Sequence, residues 1–207
     1  MEEMRTEPCG KRVRAFLEGV PVADSFRPLL VWERPYYPTY YFPEADVRED
    51  VLAERGVALR RHDGHVAFDW DAADSWFEED EEVFTHARDP HSRVDVLASS
   101  RHVLVVCEGT TLAESRNSRL LFETGLPARV YLPKTHVRMD LLKPSQTVTH
   151  CPYKGQAEHW SLERGGTTVP DVAWSYRAPF AESQKVTGML AFYPGKVELL
   201  VDGERWS

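Results

Sequence analysis

One loop of the sequence, THCPYKGQAEHW at residues 149–160, places a thiol, a phenol and an ammonium group within a few positions of each other. Cys151 could act as a nucleophile or a redox-active thiol if a nearby positive charge or base stabilises its thiolate. A proline and a glycine in the loop favour a turn that can fold Lys154 back towards Cys151. Tyr153 and Lys154 can donate hydrogen bonds to a carboxylate, a phosphate or a carbonyl oxygen. The alternatives are a small buried apolar residue for Cys151 and an exposed turn for Tyr153 and Lys154.

A carboxylate and several aromatic side chains could complete a site with this loop. Glu123 follows the apolar run RLLF, where a carboxylate risks burial and then needs a partner. It is either a general base or substrate anchor, or a structural ion pair with Arg138 of the same repeat. The aromatic residues that could line a pocket, or pack only in the core, are Tyr131, Trp160, Trp174 and Tyr176.

The elements that would position these residues repeat along the chain. Residues 13–50 align with residues 103–140 at a constant offset of 90 and without a gap, and 12 of the 38 aligned positions are identical. Self-similarity at a fixed offset indicates that the chain contains two copies of one unit. In both copies a glutamate follows an apolar run, Glu33 in the first and Glu123 in the second. This recurrence favours a structural role for the carboxylate.

The ends of the copies are predicted from a second pair of similar segments. SRVDVLASS (92–100) and GKVELLVDG (195–203) both alternate apolar and polar residues after a proline-containing turn, which is typical of a hairpin strand. We therefore expect the first copy at 12–100 and the second at 102–203. If Trp70 and Trp174 correspond, the second copy carries about 14 extra residues, and these include the thiol loop.

The fold class that this pattern predicts is mainly β. Short alternating stretches are separated by turns that contain glycine or proline, and no long stretch with helical periodicity is found. Two short helices are expected, within 45–56 and 179–190.

Composition limits the partners and the compartment. The chain has 25 Lys and Arg against 33 Asp and Glu, so its net charge of −8 disfavours nucleic-acid binding. No apolar run has the length of a membrane span, and no secretory signal is seen at the start. Three widely spaced cysteines without a C-x-x-C pair argue against a cysteine zinc site. We expect a cytoplasmic protein with free thiols, no metal and no cofactor.

Several motifs in combination resemble the DUF427 family over essentially the whole chain, with the first copy as a degenerate repeat. The motifs are TLAES (111–115), LLFETGLPARVYLP (120–133), CPYKG (151–155), VAWSY (172–176) and GMLAFYPGKVELLVDG (188–203). The resemblance implies two tandem β-tent-like (Mss4-like) units. Relatives with this fold often bind zinc through paired cysteines, which this chain lacks, so zinc is not implied. The resemblance implies no defined activity.

Two functions follow from these residues, and the sequence leaves both open. In the first, the second copy holds a pocket for an unknown small molecule, and the CPYKG loop lines this main pocket with Lys154 beside Glu123 or a bound anion. Glu123 or Lys154 would then be an acid or base, and Cys151 a nucleophile, in hydrolysis or group transfer. In the second, the chain is a non-catalytic ligand-binding or protein-interaction module, which could form a homodimer.

Overall fold

The computed structural model describes residues 4–206, and these form antiparallel β-sheets with only short helices. The chain divides into two compact units, with the division between His91 and Ser92. The predicted fold class, mainly β, is confirmed.

The first unit contains a five-stranded sheet in the order β1-β4-β5-β7-β6 and a four-stranded sheet in the order β3-β2-β8-β9. Its strands are β1 (Arg5–Pro8), β2 (Val13–Leu17), β3 (Val20–Ser25), β4 (Leu29–Arg34), β5 (Tyr37–Pro43), β6 (Arg60–His62), β7 (His65–Ala67), β8 (Ser75–Glu78) and β9 (Glu81–Val83).

The second unit contains a seven-stranded sheet in the order β10-β13-β14-β18-β17-β16-β15 and a four-stranded sheet in the order β12-β11-β19-β20. Its strands are β10 (Val94–Ser99), β11 (Val103–Cys107), β12 (Thr110–Ser115), β13 (Ser118–Glu123), β14 (Arg129–Leu132), β15 (Leu142–Cys151), β16 (Gly155–Arg164), β17 (Thr167–Tyr176), β18 (Leu190–Phe192), β19 (Glu198–Val201) and β20 (Glu204–Arg205).

Helices are short in both units, as the broken periodicity of the sequence predicts. The α-helix α1 (Glu49–Glu54) lies within the first expected segment, and a 3₁₀-helix at Ala181–Val186 lies within the second. The other 3₁₀-helices are Glu44–Asp46, Trp70–Ala72, Lys134–His136 and Met139–Leu141.

Strand registers repeat at the offset found in the sequence. Val13 faces Ser25 across β2 and β3, and Val103 faces Ser115 across β11 and β12. Both ladders shift register after the third residue of the first strand, so that each hairpin carries an irregularity at the same place. A β-bulge bends and twists its strand locally, and a shared bulge therefore gives the two hairpins the same shape. The next strands repeat as well, since Leu29 faces Tyr41 and Arg119 faces Tyr131, so segments 13–41 and 103–131 share one pairing register.

The beginning of the second unit differs from the expected boundary. β10, which the alternating pattern assigned to the end of the first copy, pairs with β13 in the second unit. Its counterpart is β1, which pairs with β4 in the first unit. The strand that closes the first unit is instead β8, which pairs with β2 as β19 pairs with β11. Alternation alone shows that a segment is a half-buried strand and does not show which sheet it joins.

The expected correspondence of Trp70 with Trp174 is also not what the sheets show. Arg60 faces Ala67 in the first unit, and Trp174 faces the equivalent alanine, Ala191, in the second. The position of Trp174 is therefore occupied by Arg60 in the first unit. Trp70 lies in a 3₁₀-helix that follows β7.

The second unit has an additional hairpin, β15–β16, at the edge of its large sheet. In the described part of the first unit the corresponding sheet ends at β6, and α1 lies in the connection before it. The hairpin divides its side chains between two apolar clusters. Trp160 and Leu162 pack in the main core with Leu132 and Phe192, whereas Ala157 packs on the other face with Trp174 and Tyr176. The site described next lies on that second face.

Candidate functional site

The CPYKG loop is the turn of the β15–β16 hairpin. The N–H of Lys154 donates to the carbonyl of Cys151 over 3.3 Å, which closes the turn. Gly155 has a φ of +91°, a conformation that a residue with a side chain rarely adopts. The carbonyl of Lys154 accepts from the N–H of Phe180 over 3.2 Å and fixes the turn to the segment after β17. The backbone around Lys154 is therefore held on both sides.

Lys154 and Glu123 form a buried ion pair. The ammonium group of Lys154 contacts the Glu123 carboxylate directly, and the two side chains are only 10% and 7% exposed. Glu123 ends β13, 31 residues before Lys154 in the chain. A buried charge is costly unless it is paired, so each group requires the other. The expected alternative partner, Arg138, pairs instead with Asp140 on the surface.

Aromatic side chains surround this pair. The indole N–H of Trp174 donates to the hydroxyl of Tyr131 over 3.1 Å, and the two rings meet edge to face. The ring of Tyr193 lies 4.3 Å from that of Trp174. Burial raises the pKa of both Tyr131 and Tyr176, so both phenols remain protonated donors over the physiological range.

His159 supports Tyr193 from behind, and sequence reasoning did not assign it a role. Its Nδ1 lies 3.2 Å from the carbonyl of Thr147, and its Nε2 lies 3.1 Å from the Tyr193 hydroxyl. Because a carbonyl oxygen only accepts, Nδ1 carries the proton and donates to Thr147. In the neutral ring, Nε2 then accepts from the hydroxyl of Tyr193. His159 is thus a positioning residue that fixes the orientation of the Tyr193 phenol.

These groups enclose a cavity of about 240 Å³ in the second unit. Six of the predicted site residues line it: Glu123, Tyr131, Cys151, Lys154, Trp174 and Tyr176. The lining also includes Leu126, Pro127, Arg129, Thr149 and Tyr193. The cavity is not the largest in this unit. Another, of about 670 Å³, is lined by residues 106–109, 194–199, 205 and 206, and none of the loop residues lines it.

Two predicted residues do not line this cavity. Trp160 is buried in the main core, on the face of the sheet opposite to the Lys154 and Glu123 pair. There the ammonium group of Lys134 lies 4.5 Å from the centroid of its indole ring. Neighbouring residues of a strand point to opposite faces, and His159 rather than Trp160 therefore faces the cavity side. Tyr153 is half-buried in the hairpin turn between two residues that line the cavity.

Arg129 is the one charged lining residue that sequence reasoning missed. It begins β14, and within residues 4–206 its guanidinium group forms no hydrogen bond or ion pair. At the equivalent position of the first unit, Thr39 donates its hydroxyl to Glu33 over 2.9 Å. The alignment of the two copies at an offset of 90 pairs Thr39 with Arg129, and this replacement of a hydroxyl by a cation could have been noticed in the sequence.

The first unit uses the same positions differently. Tyr41, the counterpart of Tyr131, donates to Glu33 over 2.6 Å. Arg60 pairs with Glu33 over 3.0 Å and also contacts Asp69. Arg60, which pairs with two carboxylates, therefore occupies the position that Trp174 has in the second unit. Glu33 is held by a structural network, whereas Glu123 is held by a lysine from the extra hairpin.

Alkaline pH is expected to destabilise the protein through its buried phenols. Burial, followed by the hydrogen bond to Glu33, raises the pKa of Tyr41 to about 12 from its ordinary value of 10.0. Between these values the unfolded chain releases the phenol proton and the native chain retains it. The stability is therefore complete below pH 10 and is lost as the pH rises towards 12. Urea unfolding from about pH 8 to pH 11.5 measures how the free energy of unfolding falls with pH. Tyr41→Phe should make this fall less steep, and a free energy of unfolding that does not change with pH contradicts the prediction.

The described residues contain no disulfide and no cluster of metal-ligating side chains. Between residues 4 and 206 no group of three or more His, Cys, Asp or Glu side chains could hold a metal ion. All three cysteines are free thiols, and Cys107 is buried at the position of Leu17, where burial raises the pKa of its thiol. Among the same residues no helix is long and apolar enough to cross a membrane.

Comparison with family models assigns the chain to a family. The model of a family described as a domain of unknown function, DUF427, matches residues 5–60 and 95–203. Its two segments begin within β1 and β10, the pair of strands that the sheets show to be equivalent. A search of curated proteins finds no match.

Proposed function

The chain belongs to the DUF427 family, and from the geometry of its second unit we propose that it binds a small organic anion of single charge in the cavity beside Lys154 and Glu123. The observation that carries the proposal is the set of charges around this cavity. Lys154 and Glu123 neutralise each other. Arg129 adds one positive charge, and the remaining lining residues are uncharged. A cavity with one unmatched cation favours a ligand with one negative charge.

Hydrogen-bond donors support the same ligand class. The hydroxyl of Tyr131 accepts from Trp174, which leaves its own proton for a ligand. The hydroxyl of Tyr176 has no hydrogen-bond partner among residues 4–206 and lines the cavity. Two phenols and a guanidinium group can together satisfy a carboxylate, since a carboxylate only accepts hydrogen bonds.

The reaction proposed for this site is hydrolysis or group transfer on such an anion. The Cys151 sulfur would attack a carbonyl carbon of the substrate, and its proton would pass to Glu123. The leaving group departs with that proton and leaves an acyl thioester. Water then attacks the thioester, which releases the acid and restores the thiol. In this scheme Lys154 holds the Glu123 carboxylate in place through their ion pair.

A non-catalytic binding module is the second candidate, and the first unit favours it. There the equivalent carboxylate, Glu33, is bonded to Thr39, Tyr41 and Arg60, which is the arrangement of a structural carboxylate. If Glu123 keeps that structural role, the cavity binds a ligand without transforming it.

We expect butyrate to bind in calorimetric titration, with butyramide binding roughly tenfold or more weakly because it lacks the charge. Arg129→Met should abolish this preference. Arg93→Met is the matched control, because Arg93 is a surface arginine of the same unit whose side chain is 78% exposed. Equal affinities for butyrate and butyramide, or an unchanged preference in Arg129→Met, contradict the proposed ligand class.

The acyl donor 4-nitrophenyl hemisuccinate separates the two candidates, because it carries one carboxylate and one activated ester. An enzyme should form an acyl adduct on Cys151 faster than on Cys9, detected by peptide mass spectrometry, and Arg129→Met should slow that step. Equal release of 4-nitrophenolate by the protein and by Cys151→Ala identifies the binding module instead.

A further inference from the structure

The first unit contains a cavity of its own, of about 500 Å³, which none of the proposals above uses. It is lined by Glu33, Arg34, Tyr37, Pro38, Thr39, Tyr40, Arg60, Phe68, Asp69, Trp70, Trp76, Thr85, His86 and Ala87. Its volume lies within the usual range for small-molecule sites. Four of its lining residues, Glu33, Tyr37, Thr39 and Arg60, are the counterparts of Glu123, Pro127, Arg129 and Trp174 in the second unit.

A rigid aromatic wall distinguishes this cavity. Trp70 stacks on the buried Trp76 with ring centroids 4.7 Å apart and an angle of 14° between the planes. Phe68 and Tyr40 support Trp76 in turn, at 5.2 Å and 5.9 Å. Trp76 is buried, whereas Trp70 is half-buried and presents part of its indole to the cavity. An indole supported on one face offers a flat, pre-organised surface to a planar ligand.

The two indole N–H groups differ in a way that concerns a ligand. The N–H of Trp76 donates to the backbone carbonyl of Trp70 over 3.0 Å. The N–H of Trp70 has no hydrogen-bond partner among residues 4–206, so it can donate to an acceptor in the cavity. A second aromatic pair, Tyr37 and His86, meets edge to face at 4.9 Å on the cavity lining.

Charges on the lining select against ions. Arg60 pairs with both Glu33 and Asp69, and Arg34 places its guanidinium group 5.8 Å from the ring centroid of Tyr37. Two carboxylates, Glu33 and Asp69, are thus matched by two guanidinium groups, Arg34 and Arg60. The second-unit cavity carries one unmatched cation, whereas this cavity is balanced.

A strained residue borders the aromatic wall. Thr85 has a φ of 75°, and a β-branched residue rarely adopts this left-handed conformation. Thr85 precedes His86 on the cavity lining. Backbone strain of this kind is concentrated at ligand sites, where the surrounding structure holds a segment in place.

We propose that the first unit binds a neutral, planar heteroaromatic molecule, stacked on Trp70 and accepting a hydrogen bond from its indole N–H. The ring surface of Trp70 provides affinity for a flat molecule, and the balanced charges provide the preference for a neutral one. This site shares no residue with the Lys154 and Glu123 cavity, so either can fail without the other.

The experiment uses the full chain labelled with 5-fluorotryptophan, since the sequence has six tryptophans and each gives its own fluorine resonance. Adenine and nicotinamide are the neutral planar probes, benzoate the anionic probe and benzamidine the cationic probe. We expect a neutral probe to shift the Trp70 resonance saturably below about 10 mM, with the charged probes roughly tenfold weaker. The Trp174 resonance, in the other unit, serves as the internal control and should not follow the same titration.

Variants then separate stacking from folding. Trp70→Ala removes the Trp70 resonance, so binding is followed at the stacked Trp76, and the variant should bind the neutral probe at least about tenfold more weakly. Arg129→Met should leave binding of that probe unchanged. Trp70→Phe identifies the Trp70 resonance by its loss. It also keeps an aromatic ring stacked on Trp76, so this variant should fold even if Trp70→Ala does not. The proposal is overturned if neither neutral probe shifts the Trp70 resonance by about 10 mM, or if a charged probe binds there more tightly.

Discussion

Replacement of Lys154 by methionine is expected to lower the free energy of unfolding of the second unit by about 3–5 kcal/mol. The substitution leaves the Glu123 carboxylate with a side chain only 7% exposed and without its ammonium partner. The loss therefore includes the cost of a buried uncompensated charge as well as the lost attraction. Hydrogen exchange of the β17 and β18 amides in increasing urea measures this stability, because these strands lie in the middle of the seven-stranded sheet.

Two further variants test the cause of that loss. The double variant Lys154→Met with Glu123→Leu removes both charges at similar volume, and we expect it to recover most of the stability. Arg138→Met breaks a surface pair in which both side chains are more than half exposed, and it should change stability by less than about 1 kcal/mol. A double variant that is no more stable than Lys154→Met would exclude burial of charge as the reason.

Trp160→Ala is expected to lower the free energy of unfolding of the second unit by about 3–5 kcal/mol and to leave butyrate binding unchanged. Trp160 is buried in the main core with Leu132 and Phe192, on the face of the sheet away from the cavity. Removal of the indole creates a void that the surrounding strands fill only in part. Urea unfolding and calorimetric titration of the same preparation measure the two effects.

Lys134→Met is the matched control for Trp160. It removes the ammonium that lies 4.5 Å from the indole ring and keeps the ring itself. Its expected cost is about 0.5–1 kcal/mol, the value for a cation–π contact near the surface. If Trp160→Ala weakens butyrate binding at little cost in stability, the indole belongs to the site after all.

The repeat and the central ion pair could be predicted from the sequence. Identical residues at an offset of 90 are sufficient to align β2–β5 with β11–β14, because a shared register preserves which side chains face the core. The pairing of Lys154 with Glu123 was one of the two positions expected for that ammonium group, because a carboxylate that follows an apolar run needs a partner.

The boundary between the two units and the remaining residues that line the cavity could be identified only from the structure. β10 and β19 have the same alternation, yet β10 begins its unit and β19 closes it. Arg129 and Tyr193 carry no local signal, because a lone arginine or tyrosine at the end of a strand is most often a surface residue. They enter the site only through strand order, which places β14, β18 and β17 side by side.

The additional hairpin of the second unit forms the edge of its sheet, and β15 has a single strand neighbour, β16. Most side chains of β15 are exposed, so little apolar surface holds this strand in place. Such an edge can detach in a sub-global opening while the remainder of the sheet stays folded. Because Cys151 ends β15, such an opening would carry its thiol away from the cavity. Access to the cavity would then be governed by the opening equilibrium of one edge strand rather than by a separate lid.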